Sequence, residues 1–280
     1  MRDPKTPLIP ERDLDKHPVL QCVDLGIDFG GLTAVDDFNI TISPTEICGL
    51  IGPNGAGKTT VFNLLTKVYM PTRGSIFLEG KDTKNFNTTQ ANKGGIARTF
   101  QNIRLFKTMT VLENVLVGLH NEMSYGLAGA ILRIPRLSGY WRAERIARER
   151  ALELLSIFDM EDMIDHKAGA LPYGSQRRLE IVRALATNPA ILLLDEPAAG
   201  MNPAETEGLM ENIKKIRDMF QIAIFLIEHD MHLVMGVCEG VAVLNYGKMI
   251  AKGTPSEIQR NPRVIEAYLG TSDVGGDAHA

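Results

Sequence analysis

Apolar and polar positions alternate with a period near two along some stretches and near 3.6 along others, and the two periods divide the chain into strands and helices. From Val19 to Ile42 the alternation is strand-like and breaks at Phe29-Gly30-Gly31, which predicts two strands joined by a turn. Ile47, Gly49, Leu50 and Ile51 make a short apolar strand. Val61, Leu64, Leu65 and Val68 then recur at i, i+3, i+4 and i+7, the face of an amphipathic helix. Met70-Pro71-Thr72-Arg73-Gly74 interrupts that pattern, and Ser75 to Gly80 predicts a strand in a second sheet region. Ile96 to Gln101 predicts a strand ending on Gln101. Between Val111 and about Phe158 the composition is helical, with Ala143, Ala147, Ala151 and Leu154 on one face and Glu144 and Arg148 placed to pair at i, i+4. A helix opened by Gly174-Ser175 carries Leu179, Val182 and Ala186 on one face, with Ile181 and Leu185 beside it. It is expected to end at Asn188, ahead of Pro189. Ala190 to Leu194 and Ile222 to Ile227 are continuous apolar runs of buried-strand length. Val241 to Leu244 and Met249 to Ala251, joined by Asn245-Tyr246-Gly247-Lys248, predict a hairpin.

The candidate chemistry collects where these elements end. Between the strand at 47–51 and the first helix lies Gly52-Pro53-Asn54-Gly55-Ala56-Gly57-Lys58-Thr59-Thr60, which meets the phosphate-loop pattern G-x-x-x-x-G-K-[ST] in full. Glycines let successive backbone N–H groups converge on an anion, Lys58 supplies a point charge for the β and γ phosphates, and the Thr59 hydroxyl can ligate Mg²⁺. The helix that follows adds the partial positive charge of its N-terminus. The run Ala190 to Leu194 ends in Asp195-Glu196, and two acids directly after a buried strand match the Mg²⁺ and water-activating positions of a P-loop NTPase. Gln101 and His229 close two other strands at the edge where ligands collect in open α/β sheets. Phe29 is either a platform on which a base stacks or an ordinary core aromatic. Gly174 and Ser175, at a helix start, form a second candidate anion site.

The chain has 280 residues, 44% of them hydrophobic, enough for a large globular domain with a lobe or for two small ones. A net charge of −4 gives no general attraction to nucleic acid, so none is expected as a partner. Cys22, Cys48 and Cys238 are scattered and odd in number, which fits reduced structural thiols in a cytoplasmic protein. No apolar run reaches the roughly 18 residues that span a bilayer, so any membrane connection runs through a partner. Residues 1–17 lack the apolar core of a secretory signal and read as a polar tail, as do 271–280. The apolar stretch Tyr125 to Leu137, interrupted by Gly126, Gly129 and Pro135, either packs on its own lobe or faces a partner.

These motifs, in this order, resemble the ATP-binding subunits of ABC transporters over about residues 18–270. The resemblance implies an α/β P-loop NTPase with a RecA-like core sheet, an antiparallel β subdomain and an inserted α-helical subdomain at about 102–170. It implies ATP hydrolysis with Mg²⁺, and it assigns roles by position. Phe29 stacks on adenine, residues 52–60 hold the phosphates, and Gln101 touches Mg²⁺ or the attacking water. Asp195 holds Mg²⁺ through water, with Thr59. Glu196 is the general base, and His229 bonds the γ-phosphate and orients that base, with Lys58 completing the catalytic set. Aligning the family signature L-S-G-G-Q on Pro172-Tyr173-Gly174-Ser175-Gln176 puts Tyr173 at the serine that reaches the nucleotide of a partner subunit. Asn202 stands where the family usually has Asp. The implied partners are a second ATPase subunit, identical or related, integral membrane permease subunits, and indirectly an external solute-binding protein. The implied location is the cytoplasmic face of the inner or plasma membrane. Tyr173 to Arg178, Asp195 to Gly200 and the ending from Gly253 to Gly270 are most similar to branched-chain amino acid importers. Urea importers and the lipopolysaccharide exporter ATPase share much of the pattern. A soluble ABC ATPase acting on DNA or ribosomes would commonly carry a long coiled-coil insertion or two cassettes, and a GTPase would carry Asn-Lys-x-Asp; neither pattern occurs here.

Overall fold

The computed structural model of the chain describes residues 18–119 and 140–269. At Gly30 and Gly31, φ of 52° and 93° lets strand β1 (Leu20–Phe29) turn directly into β2 (Leu32–Ile42). The Asn245-Tyr246-Gly247-Lys248 hairpin uses the same device: Tyr246 and Gly247 both have positive φ, 44° and 77°, as a tight primed turn requires. That turn joins β9 (Gly240–Asn245) to β10 (Lys248–Gly253).

Two sheets result. An antiparallel sheet of four strands runs β2-β1-β4-β5, with β4 at Arg73–Leu78 and β5 at Lys81–Asp82. A six-stranded sheet runs β10-β9-β3-β8-β7-β6, with β3 at Ile47–Ile51, β6 at Ile96–Arg98, β7 at Ile191–Asp195 and β8 at Ala223–Ile227. All its pairs are parallel except β9 with β10. The parallel strands are buried on both faces, which explains their unbroken apolar runs. Cys48 and Leu50 face one hydrophobic cluster, and Ile47 and Ile51 face the other. Gly49 packs closely on Cys238, whose Sγ would lie 3.1 Å from a Cβ there.

Helix α1 (Lys58–Leu65) buries Val61, Leu64 and Leu65 as the pattern predicts, but Val68 is not part of it. The N–H groups of Val68 and Tyr69 fold back onto the Asn63 carbonyl, Lys67 takes φ 58°, and Val68 is left exposed. Helices α2 (Thr88–Lys93), α3 (Val111–Leu119) and α4 (Tyr140–Ser156) follow. α3 packs on α4 and on α5 (Tyr173–Leu185), and Ala147, Ala151 and Leu154 are buried on the expected face. Among the described residues the i, i+4 ion pair on α4 is Arg145–Glu149, at 3.8 Å, and not the expected Glu144 with Arg148. α5 ends at Leu185, earlier than expected, and Asn188 turns the chain with φ 51°. The remaining helices are α6 (Pro203–Phe220), α7 (Met231–Val237), α8 (Pro255–Gln259) and α9 (Pro262–Leu269). Tyr125 to Leu137 and both tails lie outside the described residues. Among the described residues, no helix is long and apolar enough to cross a membrane.

Candidate active site

β3, β6, β7 and β8 run parallel, so their C-terminal ends share one edge. That edge receives the loop at 52–57, Gln101, Asp195-Glu196 and Glu228-His229. The loop is shaped by close approach as well as by composition. A Cβ on Gly52 would lie 2.0 Å from the Leu244 carbonyl oxygen, and one on Gly57, at φ 101°, would lie 2.7 Å from that of Ala34. Gly55, at φ 79°, has open space around it, and Asn54 beside it is exposed. Lys58 Nζ donates to the carbonyls of Gly52 and Pro53, at 2.7 and 2.9 Å, so the ammonium closes the loop on itself. Burial lowers its pKa, and the nearby carboxylates of Glu196 and Asp195 pull it back up. Ala56 is buried against the hairpin, where its carbonyl accepts from the Gly247 N–H, and Thr59 and Thr60 open α1 on the solvent side.

Glu196 takes a left-handed backbone, φ 47°, uncommon for a residue with a side chain, and its N–H donates to the Ile227 carbonyl at 2.9 Å. This turn ends β7 and presents the carboxylate at the sheet edge. Glu196 Oε2 accepts from Gln101 Nε2 at 2.7 Å, and Oε1 lies 3.7 Å from His229 Nδ1, beyond hydrogen-bond range. The structure therefore brings Lys58, Gln101, Glu196 and His229 together.

Asp195 is held differently. Its Oδ2 lies 2.6 Å from Arg98 Nη2, and the two side chains are 4% and 5% exposed. Arg98 also donates to Asn63 Oδ1 on α1, at 2.7 Å, and lies over the rings of Phe62 and Phe100. Neither Arg98 nor Asn63 was a sequence candidate. The signal was available: an arginine in a three-residue strand whose other two residues are buried needs a partner.

Glu228, the acid just before His229, is also a structural post. Its buried carboxylate accepts from the N–H groups of Ala198, His229 and Asp230, at 2.9, 3.1 and 3.4 Å. Burial raises its pKa and those N–H bonds oppose the rise. Burial raises the pKa of the Tyr268 hydroxyl, near the end of α9, and the Gly52 backbone opposes the rise.

Phe29 is half exposed, with its ring edge-on to Tyr69 at 5.2 Å between centroids, so it is not a core residue. At the start of α5 the N-cap is Pro172 and Tyr173 is the first helical residue. Serine is favoured at an N-cap because its hydroxyl oxygen accepts from a backbone N–H of the first helical turn, which a proline side chain cannot do. The cap position is filled by Pro172, which makes no side-chain cap hydrogen bond. Tyr173 is exposed, with its ring against Gly200. Ser175 is buried and accepts from Arg178 Nη2 at 3.1 Å, and Gln176 Nε2 donates to the Leu171 carbonyl at 2.8 Å. Ser175, a candidate at the second anion site, therefore has its hydroxyl buried and bonded to Arg178 rather than open to solvent. Asn202 caps α6 reciprocally with Glu205, at 3.0 Å each way, a role in which Asn serves as well as Asp.

The family model described as ABC transporter matches residues 35–199, and one described as branched-chain amino acid ATP-binding cassette transporter matches residues 248–274. The chain is 47% identical over 254 residues to the high-affinity branched-chain amino acid transport ATP-binding protein LivG of Escherichia coli K12, covering 91% of this chain and 98% of that protein. It is 45% identical to the corresponding BraF protein of Pseudomonas aeruginosa, with the same coverage. Among solved structures, an ATP-binding cassette of an ABC transporter in its ADP conformation is similar with a TM-score of 0.77 and 29% identity, over 91% of this chain and all of that one. A dimeric cassette in a post-hydrolysis state, bound to ADP and phosphate, is similar with a TM-score of 0.70 and 25% identity, over 84% and 98%.

Proposed function

The chain belongs to the ABC transporter ATP-binding proteins, and from that membership we propose that it energises the import of branched-chain amino acids through membrane permease subunits. The observation that carries the solute class is the similarity, at 45–47% identity over nearly the full length of the relatives, to proteins named for that transport, together with the match of the C-terminal segment. On this reading the chain sits on the cytoplasmic face of the membrane, held by the permease.

The geometry supports the following reading of the hydrolytic step. Phosphate oxygens entering the loop meet the backbone N–H groups around Gly55 to Lys58, and Lys58 exchanges the carbonyls of Gly52 and Pro53 for the anion. Glu196 takes the proton of the attacking water. Gln101 fixes one of its oxygens, and the other lies on the His229 side. Phe29 supports the base ring. The donors available for Mg²⁺ are hard oxygens: the Thr59 hydroxyl, the Gln101 amide oxygen and the Asp195 carboxylate. Oxygen donors of this kind suit Mg²⁺, which takes one or two protein oxygens beside its waters and the phosphate oxygens of a nucleotide. Mg²⁺ would neutralise charge developing on the phosphates. The open start of α5, with Tyr173 and the backbone of Gly174, is the second anion site, and it completes the site of a partner ATPase subunit in a head-to-tail pair. The dimeric ADP- and phosphate-bound relative supports that arrangement.

The test is uptake by proteoliposomes holding this chain with its permease and second ATPase. ATP-dependent accumulation of leucine, isoleucine or valine with the cognate binding protein is expected, and uptake of urea instead would overturn the assignment.

A further inference from the structure

The strongest polar cluster to which neither the motifs nor the reaction assigns a part lies inside the molecule, on α5. Arg177 has a side chain that is 0% exposed and Glu180 one that is 1% exposed, and they pair at 2.9 Å. Arg177 does more than neutralise Glu180. Its Nη1 donates to the Phe100 carbonyl at 2.5 Å, and its Nη2 donates to the carbonyls of Gln101 at 2.8 Å and Glu196 at 3.3 Å. Glu180 Oε1 accepts from the N–H groups of Arg104 at 3.1 Å and Phe100 at 3.4 Å. One guanidinium therefore grips the backbone of the two residues whose side chains meet, Gln101 Nε2 and Glu196 Oε2 at 2.7 Å. It projects from the helix whose first turn carries Tyr173 and Gly174.

We propose that Arg177, braced by Glu180, is the positioning residue that fixes Gln101 against Glu196 and the link by which α5 reports the partner subunit's nucleotide to its own subunit's hydrolytic groups. The second half rests on the head-to-tail pairing proposed above. The physical argument is geometric. A planar fork of donors can hold three carbonyls at once, and a guanidinium with no solvent contact cannot trade them for water. A shift of α5 is then transmitted as a rigid displacement of residues 100–101 and of the Glu196 backbone. Positioning errors of an ångström at a reacting centre cost up to about a hundredfold in rate.

Arg177→Lys keeps a positive charge opposite Glu180 but removes the fork. In the full chain, kcat for ATP is expected to fall about 10- to 100-fold, while KM and the equilibrium affinity for a fluorescent ATP analogue stay within about threefold. In a Glu196→Gln background, ATP should slow amide exchange across residues 99–104. Adding Arg177→Lys should abolish that slowing while sedimentation still shows ATP-driven pairing. Wild-type kcat in Arg177→Lys, or a fall in nucleotide affinity as large as the fall in kcat, would overturn the proposal. If Arg177→Lys does not fold, Glu180→Gln is judged by the same split. Failure of the Glu196→Gln parent to pair with ATP would strike the head-to-tail reading alone, and the split between kcat and affinity would still decide the positioning role.

Discussion

Replacing Arg98 by Met tests whether Asp195 depends on a single buried partner. Arg98 and Asp195 are 2.6 Å apart with side chains 5% and 4% exposed, so solvent screening does not discount the pair as it would at the surface. Removing one member of a buried pair leaves the other charge uncompensated, at a cost of about 3–5 kcal/mol. The lost bond to Asn63 Oδ1, itself 2.7 Å long, adds to that. For a domain of this size about 1 kcal/mol corresponds to roughly 2 °C, so Arg98→Met should lower Tm by about 6–10 °C. Asp195→Asn added to Arg98→Met removes the orphaned charge and should recover a large part of the loss. Calorimetry on the four proteins of this cycle reads the coupling directly. If Arg98→Met costs less than about 1 kcal/mol, or if the second substitution makes matters additively worse, the pair does not hold Asp195 and the account of the metal-side acid fails.

Two further predictions concern separate parts of the site. Tyr173→Phe should retain most ATPase activity because the ring packs against Gly200 whether or not it bears a hydroxyl. Gly174→Asp should abolish activity, since its Cβ would lie 2.8 Å from Glu205 Oε1 and its carboxylate would sit at the second anion site; equal loss in both variants would make the phenol a direct ligand. Away from the nucleotide, the hydrogen bond that His232 Nε2 donates to Glu207 Oε1, at 2.6 Å, raises the pKa of His232 above its ordinary 6.5. The stabilisation from that contact between α6 and α7 is fully present below pH 6.5 and is lost as pH rises through the higher folded-state value. Glu207→Ala should return the His232 NMR titration to near 6.5, and an unchanged midpoint would exclude Glu207 as the cause.

What the sequence made legible were the strand ends and the loop between β3 and α1. Each of those features is local: a glycine spacing, an apolar run followed by an acid, a turn pair. What it hid were partners that meet only through the fold. Arg98 and Asp195 are separated by 97 residues and Arg177 and Phe100 by 77, and no periodicity links them. The burial of the Ser175 hydroxyl against Arg178 was hidden for a related reason, because it depends on where the helix starts, with Pro172 as its cap. Phe29 could not be assigned from its neighbours, since a strand-ending aromatic is equally suited to a core or to a ring platform.

The central claim is that Glu196 is the base of a site that binds ATP independently of it. Phosphate release and ATP-analogue binding measured side by side on Glu196→Gln address it most directly. The substitution keeps the size of the side chain and an oxygen that can accept from Gln101 Nε2, and removes only the carboxylate's basicity. Unchanged nucleotide affinity with steady-state hydrolysis lowered by at least about a hundredfold is the expected result. Turnover near that of the unmodified chain, with ATP still bound, would take the proton away from Glu196 and contradict the account.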